Sequence, residues 1–176
     1  MATPTRTFNT TAGQTIDRAL LVLYLNTGTA SSPVWSPIGK RVEDSSAEYD
    51  WRSENKQDIL GQTYGILKKP IITQSFEPCE LDAGDAALIK IWEAGVRDQD
   101  AAAMASWDVL VGHWYYGADG AGFGERYATS MIEVTGIGGE GGGFIGAPIN
   151  VTYGGVRAVG SVTRSTDGAV TFTADT

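Results

Sequence analysis

The sequence predicts a mainly β fold with one principal helix, and three observations lead there. Gly is abundant, at 23 of 176 residues, alongside many Thr and Val, a composition that favours strands and turns. Short apolar or alternating runs, separated by turn-forming clusters, fill most of the chain. Only 82–95 carries a sustained helical period. The length suits one domain with a real core, so 1–176 is read as a single unit.

From the N-terminus, residues 1–14 are polar and Thr-rich and read as a flexible arm. Ala19–Leu25 is a short continuous apolar run bounded by Asn26-Thr27-Gly28, which favours a buried strand over a helix. Thr27–Pro37, rich in Ser, Thr, Gly and Pro, reads as a loop that includes Trp35.

Residues 48–77 form a long hairpin. Glu48, Asp50, Arg52 and Glu54 share one parity and Tyr49, Trp51 and Ser53 the other, the alternation of a strand with one wet face. The return segment Ile66–Glu77 is mixed, and Pro70, which cannot donate a ladder hydrogen bond, marks a bulge or a free edge. The apex is Asp58, Ile59, Leu60 and Gly61. An apolar pair at the tip of a polar hairpin either packs on its own sheet or meets a partner.

The helix of 82–95 has Asp82 as its cap and Asp85 in the first turn, where negative charge suits the dipole. Leu88, Ile91, Trp92 and Gly95 fall on one face, with Gly95 as the stop. A short second helix is expected over Asp100–Ser106. Trp107–Tyr116 and Tyr127–Thr135 read as strands joined by a loop at Gly117–Gly124, and 136–146 is a flexible Gly-rich loop. Ile149–Tyr153, Val156–Arg164 and Val170–Ala174 read as consecutive strands, with Gly154-Gly155 and Asp167-Gly168 as two-residue turns.

The candidates for chemistry are weak. Gly136–Gly141 matches G-x-G-x-x-G, but more Gly and then a hairpin follow, so no helix N-terminus is available for a pyrophosphate and no cofactor is expected. His113 is the only histidine and Cys79 the only cysteine, which leaves no disulfide and no thiolate metal site; both read as packing residues. The carboxylate pairs Glu48/Asp50 and Asp82/Asp85 have a solvated face and a helix cap as their explanations. Trp51, Trp107 and Trp114 could build an aromatic platform of the sort carbohydrate-binding modules use. A net charge of −8 argues against a sequestering nucleic-acid binder, though not against a surface past which DNA slides. The first fifteen residues hold no apolar signal segment, and no run approaches membrane-spanning length, so a product made in the cytoplasm without a membrane partner is expected. An enzyme is not expected.

The order of parts is more specific than any of them alone. A W-x-x-I-G element at Trp35–Gly39, the Asp58–Gly61 hairpin tip and Thr73–Pro78 leading into the helix are followed by terminal Gly-rich strands ending in Val170–Thr173. This order resembles the phage tail tube proteins, or major tail proteins, of siphophages and related phage-tail-like particles, from about Leu20 to Thr173. The resemblance implies a compact β-sandwich or barrel with one flanking helix and a long hairpin. It implies self-assembly into stacked, hexameric rings forming the tail tube of a virion, through which DNA passes without specific binding. The hairpin tip (Asp58, Ile59, Leu60, Gly61) would stack on the next ring, and Glu48, Asp50 and Glu54 would face the lumen. Tape measure, tail terminator and baseplate or initiator proteins would be further partners. Since the chain stops after its last strand, the outer immunoglobulin-like domain of some relatives is expected to be absent. The competing expectation is a monomeric β-sandwich module that binds carbohydrate or peptide.

Overall fold

The structure is a computed structural model that describes residues 5–175. Its strands are β1 (Thr7–Phe8), β2 (Leu21–Asn26), β3 (Trp35–Ile38), β4 (Ala47–Asp50), β5 (Glu54–Gln57), β6 (Thr63–Ile66) and β7 (Ile71–Phe76). After them come helices α1 (Ala86–Trp92) and α2 (Ala101–Met104), then β8 (Trp107–Ala118), β9 (Ala121–Val134), β10 (Ile149–Thr152), β11 (Arg157–Arg164) and β12 (Val170–Ala174). The molecule is mainly β, and every strand pairing is antiparallel.

The long strand β9 organises the sheet. Its first half, Gly122–Tyr127, pairs with β11, and its last four residues, Met131–Val134, pair with β10, while β8 runs along its other edge. One layer is therefore β3-β2-β8-β9-β11-β12, and a second is β9-β10-β7-β4. The main core lies between these layers and α1. Leu23 and Leu25 of β2, Val109 of β8, Ile132 of β9, Phe76, Ile149 and Val151 meet Leu88 and Ile91 of the helix there. A second cluster, with Tyr24, Trp35, Leu110 and Val162, covers the opposite face of the first layer. β2 is an unbroken apolar run because odd and even positions serve different cores: Leu23 and Leu25 face one, Tyr24 the other.

Several elements differ from expectation. Thr7 and Phe8 of the expected arm pair with Gly117 and Tyr116, and Arg6 forms a two-pronged ion pair with Asp175 at 2.7 and 2.9 Å. Met1–Pro4 of that arm lie outside the described residues. Trp35 opens β3 and is buried; it is not in a loop. The helix is capped by Asp85, whose carboxylate accepts from the Leu88 N–H at 2.9 Å. Asp82 instead accepts from Gly84 N–H and pairs with Lys40. Leu88 and Ile91 are buried, Trp92 is half-buried, and the chain continues beyond it as a π-turn over Glu93–Arg97. Gly95 does not stop the helix; it packs so tightly that a Cβ would sit 2.9 Å from Met104 and 3.0 Å from Val134.

The expected loop 117–124 is mostly strand. The chain turns at Asp119-Gly120, with φ of 52° and 78°, the left-handed pair of a two-residue hairpin turn. Asp167-Gly168 does lie between β11 and β12, but in a three-residue loop, Thr166–Gly168, closed by Ser165 N–H donating to the Ala169 carbonyl, and not in a two-residue turn. Gly154-Gly155 does not make a hairpin: β10 and β11 lie end to end along the same edge of β9, and the glycines let the chain cross against Thr129, whose carbonyl would be 2.5 Å from a Cβ on Gly154.

Candidate functional site

Two features stand out: the projecting hairpin and a cavity at its root. The hairpin has two stages. At the base, β4 pairs with β7, Asp50 opposite Ile71; farther out, β5 pairs with β6, Glu54 opposite Ile66. The junction is a kink. Arg52 has φ of 43°, its N–H donates to the Asp50 carboxylate, and its guanidinium donates to the Lys69 carbonyl at 2.8 Å. Pro70 sits in the opposing break, consistent with a residue that cannot serve the ladder.

At the apex, one oxygen of Asp58 accepts from the N–H groups of Leu60 and Gln62, both at 2.9 Å, and Gly61 takes the positive φ of 80°. This closed turn holds Ile59 and Leu60 outward, 102% and 79% exposed. They do not pack on their own sheet.

The kink also breaks the expected parity. Glu48 and Asp50 share the outer face of β4, but Glu54 lies beyond Arg52 and is ion-paired with Lys68. Thr73 and Ser75 of β7, Asn150 and Thr152 of β10 and Glu133 of β9 continue the Glu48 face as a shallow polar trough that contains no basic residue. β4 has a single strand neighbour, so its outer edge is open among the described residues.

A cavity of about 580 Å³ lies at the hairpin root. Its apolar walls are Tyr49, Trp51, Ile71, Ile72, Tyr127 and Tyr153. Arg52, Lys69 and Arg157 supply positive charge at the same cavity. Glu125, only 8% exposed, is a buried carboxylate in its wall. Arg157 donates to both Glu125 oxygens at 2.9 and 3.1 Å, and the Tyr127 hydroxyl donates at 2.7 Å. Burial by itself would raise the Glu125 pKa; the nearby His113 ring and the hydrogen bonds from Arg157 and Tyr127 together outweigh this and bring it down to about 2. His113 Nε2 stands 3.5 Å from Glu125, too far for a hydrogen bond, while its Nδ1 pairs with the Tyr115 hydroxyl at 2.7 Å.

The sequence reading missed this network because Gly122 and Gly124 disguised the start of β9 as a loop. Once β9 is a strand, Glu125 and Tyr127 fall on one face, and Arg157 faces Tyr127 across the ladder. The proposed Trp platform is not assembled. Trp107 is 7% exposed, and Trp114 is half-buried under Arg164 with its N–H given to Tyr24. Of the three, only Trp51 reaches the cavity. Cys79 is buried, and burial pushes its thiol up to about 11, far from a reactive thiolate. Among the described residues, no group of three or more His, Cys, Asp or Glu is placed to hold a metal.

No family model matches the chain, and no curated protein matches it. Among solved structures, it is similar to a chain of the sheath–tube complex of an extracellular contractile injection system, PVC, in its extended state. That likeness has 8% identity and a TM-score of 0.49, and covers 86% of this chain and 95% of the other. It is also similar to a type six secretion system protein, with 10% identity, a TM-score of 0.36, and coverage of 86% and 88%.

Proposed function

We propose that this chain is a structural subunit that assembles into stacked, hexameric rings and forms a phage-type tail tube through which DNA passes. One observation carries the proposal: a paired hairpin projects from the sheet and ends in two apolar side chains presented to solvent. Apolar surface of that kind, on an extension with no packing role of its own, is stabilised when another molecule covers it. The open edge of β4 offers a second joining surface, since strands from neighbouring copies can complete it and remove the exposed edge. The acidic trough beside Glu48 and Asp50 suits a lumen wall, because like charge discourages DNA from adhering.

On this proposal the subunit is made in the bacterial cytoplasm and ends in the virion tail. A tape measure protein occupies the lumen during assembly, and terminator and baseplate or initiator proteins cap the ends. No catalytic step and no cofactor belong to it.

Negative-stain electron microscopy at rising protein concentration tests this. Rings or tubes are expected from the wild-type chain. Ile59→Asp with Leu60→Asp should leave the circular dichroism spectrum unchanged and abolish tubes. Normal tubes from that variant would remove the apex from the assembly. The aromatic cavity favours a second reading, a monomeric glycan- or peptide-binding module. It predicts a persistent monomer with saturable ligand affinity.

A further inference from the structure

The cavity at the hairpin root and the apex of the same hairpin are chemically complementary. The apex presents Ile59 and Leu60 beside Asp58, one oxygen of which is held by the turn; Asp58 has no cationic partner among the described residues. The cavity presents an apolar, aromatic floor beside Arg52 and Lys69. Neither of these side-chain cations forms an ion pair with a carboxylate among the described residues; the Arg52 guanidinium donates to the Lys69 carbonyl, and only the Arg52 backbone N–H reaches the Asp50 carboxylate. Glu125, the one anion in the cavity wall, is already neutralised by Arg157. An incoming carboxylate would therefore meet net positive charge.

The apex cannot fill its own cavity. From Glu54 opposite Ile66 to Gln57 opposite Thr63 the two strands run outward as a continuous ladder. At about 3.3 Å per residue this puts the apex roughly 20 Å from the root. The cavity is large enough for a two-residue apolar tip, since clefts of about 300–1,000 Å³ take ligands of that order.

We infer that the root cavity is the receptor for the Asp58–Leu60 apex of a second copy of this chain. Ile59 and Leu60 enter between Trp51 and Ile71, and Asp58 meets Lys69 and Arg52. The inference rests on the assembly reading above and names the surface that the apex meets. A contact between two unlike patches does not close on itself unless a rotation brings it round, so it propagates from copy to copy. Each subunit then carries plug and socket on one hairpin, separated by the length of β5 and β6.

Cross-linking of the full-length chain tests this directly. Leu60→Cys and Ile71→Cys are placed in separately tagged chains, mixed and oxidised; both positions are exposed, and the native Cys79 is buried. The 60–71 heterodimer is expected at least tenfold above a control pair of Leu60→Cys with Phe144→Cys, an exposed site on the Gly-rich loop. Lys69→Glu should cut the yield severalfold, as should Asp58→Asn, which keeps the turn geometry but not the charge. A yield equal to the control, or one indifferent to Lys69→Glu, overturns the inference. So does glycan binding by the Ile59→Asp/Leu60→Asp chain that Ile71→Asp abolishes, which would assign the cavity to a sugar. Microscopy separates the two levels. Tubes without the 60–71 link sink the socket and leave the tube; the link without tubes sustains the socket and sinks the tube; neither together sinks both.

Discussion

Glu125 lies on β9 where the cavity wall meets the layer beneath, a position in which burial alone would favour the protonated acid. The nearby His113 ring, two Arg157 donors and the Tyr127 hydroxyl keep it ionised instead. Its folded pKa of about 2 lies below the ordinary 4.5, so folding stabilises the charged form. That contribution is fully present above pH 4.5 and is lost as the pH falls from there towards 2. It amounts to about 3 kcal/mol at neutral pH. Replacing Glu125 with Gln should lower stability at pH 7 by about that amount in urea titrations, because Arg157 loses its charged partner. The gap between variant and wild type should narrow as both are titrated below pH 4. An unchanged gap at pH 3 would show that packing, not charge, accounts for the loss.

At the level of elements, the helix provides a sharp comparison. Asp85 and Asp82 are three residues apart and both suit a cap by residue type. Only Asp85 has its carboxylate on the N3 amide. Asp85→Ala should cost about 1 kcal/mol, whereas Asp82→Ala, which loses an exposed pairing with Lys40, should leave the denaturation midpoint where it is. Equal losses would mean that both act in the cap. The same comparison shows how far sequence can be read. The helical face of Leu88 and Ile91, the hairpin and the place of the Asp167-Gly168 turn, though not its length, are written in local periods and turn chemistry, and they appear in the structure. The span of β9 and the partners of β10 are not local. The cap is local but ambiguous by residue type: Asp85 holds it because the helix begins at Ala86, while Asp82 turns to the Gly84 N–H and Lys40. Gly122 and Gly124 looked like loop residues but are glycines because Val162 and Phe172 press on them from a distant hairpin. The cavity was illegible for the same reason, since Tyr49, Lys69, Glu125 and Arg157 come from four separate stretches.

For the whole molecule, charge and assembly become one question. If, as proposed, six copies close a ring, it carries about −48, and a lumen lined by the face holding Glu48, Asp50 and Glu133 presents negative charge to a passing polyanion. If that face lines a lumen, Glu48→Lys with Glu133→Lys should still assemble, since both side chains are exposed, yet its tubes should retain labelled double-stranded DNA that wild-type tubes release. Retention should weaken with added salt, as screening requires. Equal release from both would place this face outside the tube.

β9 has a final consequence. Its membership of both layers means that neither can detach while the other stays intact, because the backbone groups of Gly122–Tyr127 and Met131–Val134 belong to one continuous strand. The molecule should therefore lack a separable foldon on either side of it. In native-state hydrogen exchange, the amides of β9 at Phe123, Glu125 and Ile132 should share one opening free energy, equal to that of global unfolding. The hairpin amides at Lys56 and Thr63 should exchange orders of magnitude faster. Distinct plateaus for the two halves of β9 would show that the layers open independently. A single plateau would make this strand the link by which a load on the hairpin is felt at the opposite edge of the domain.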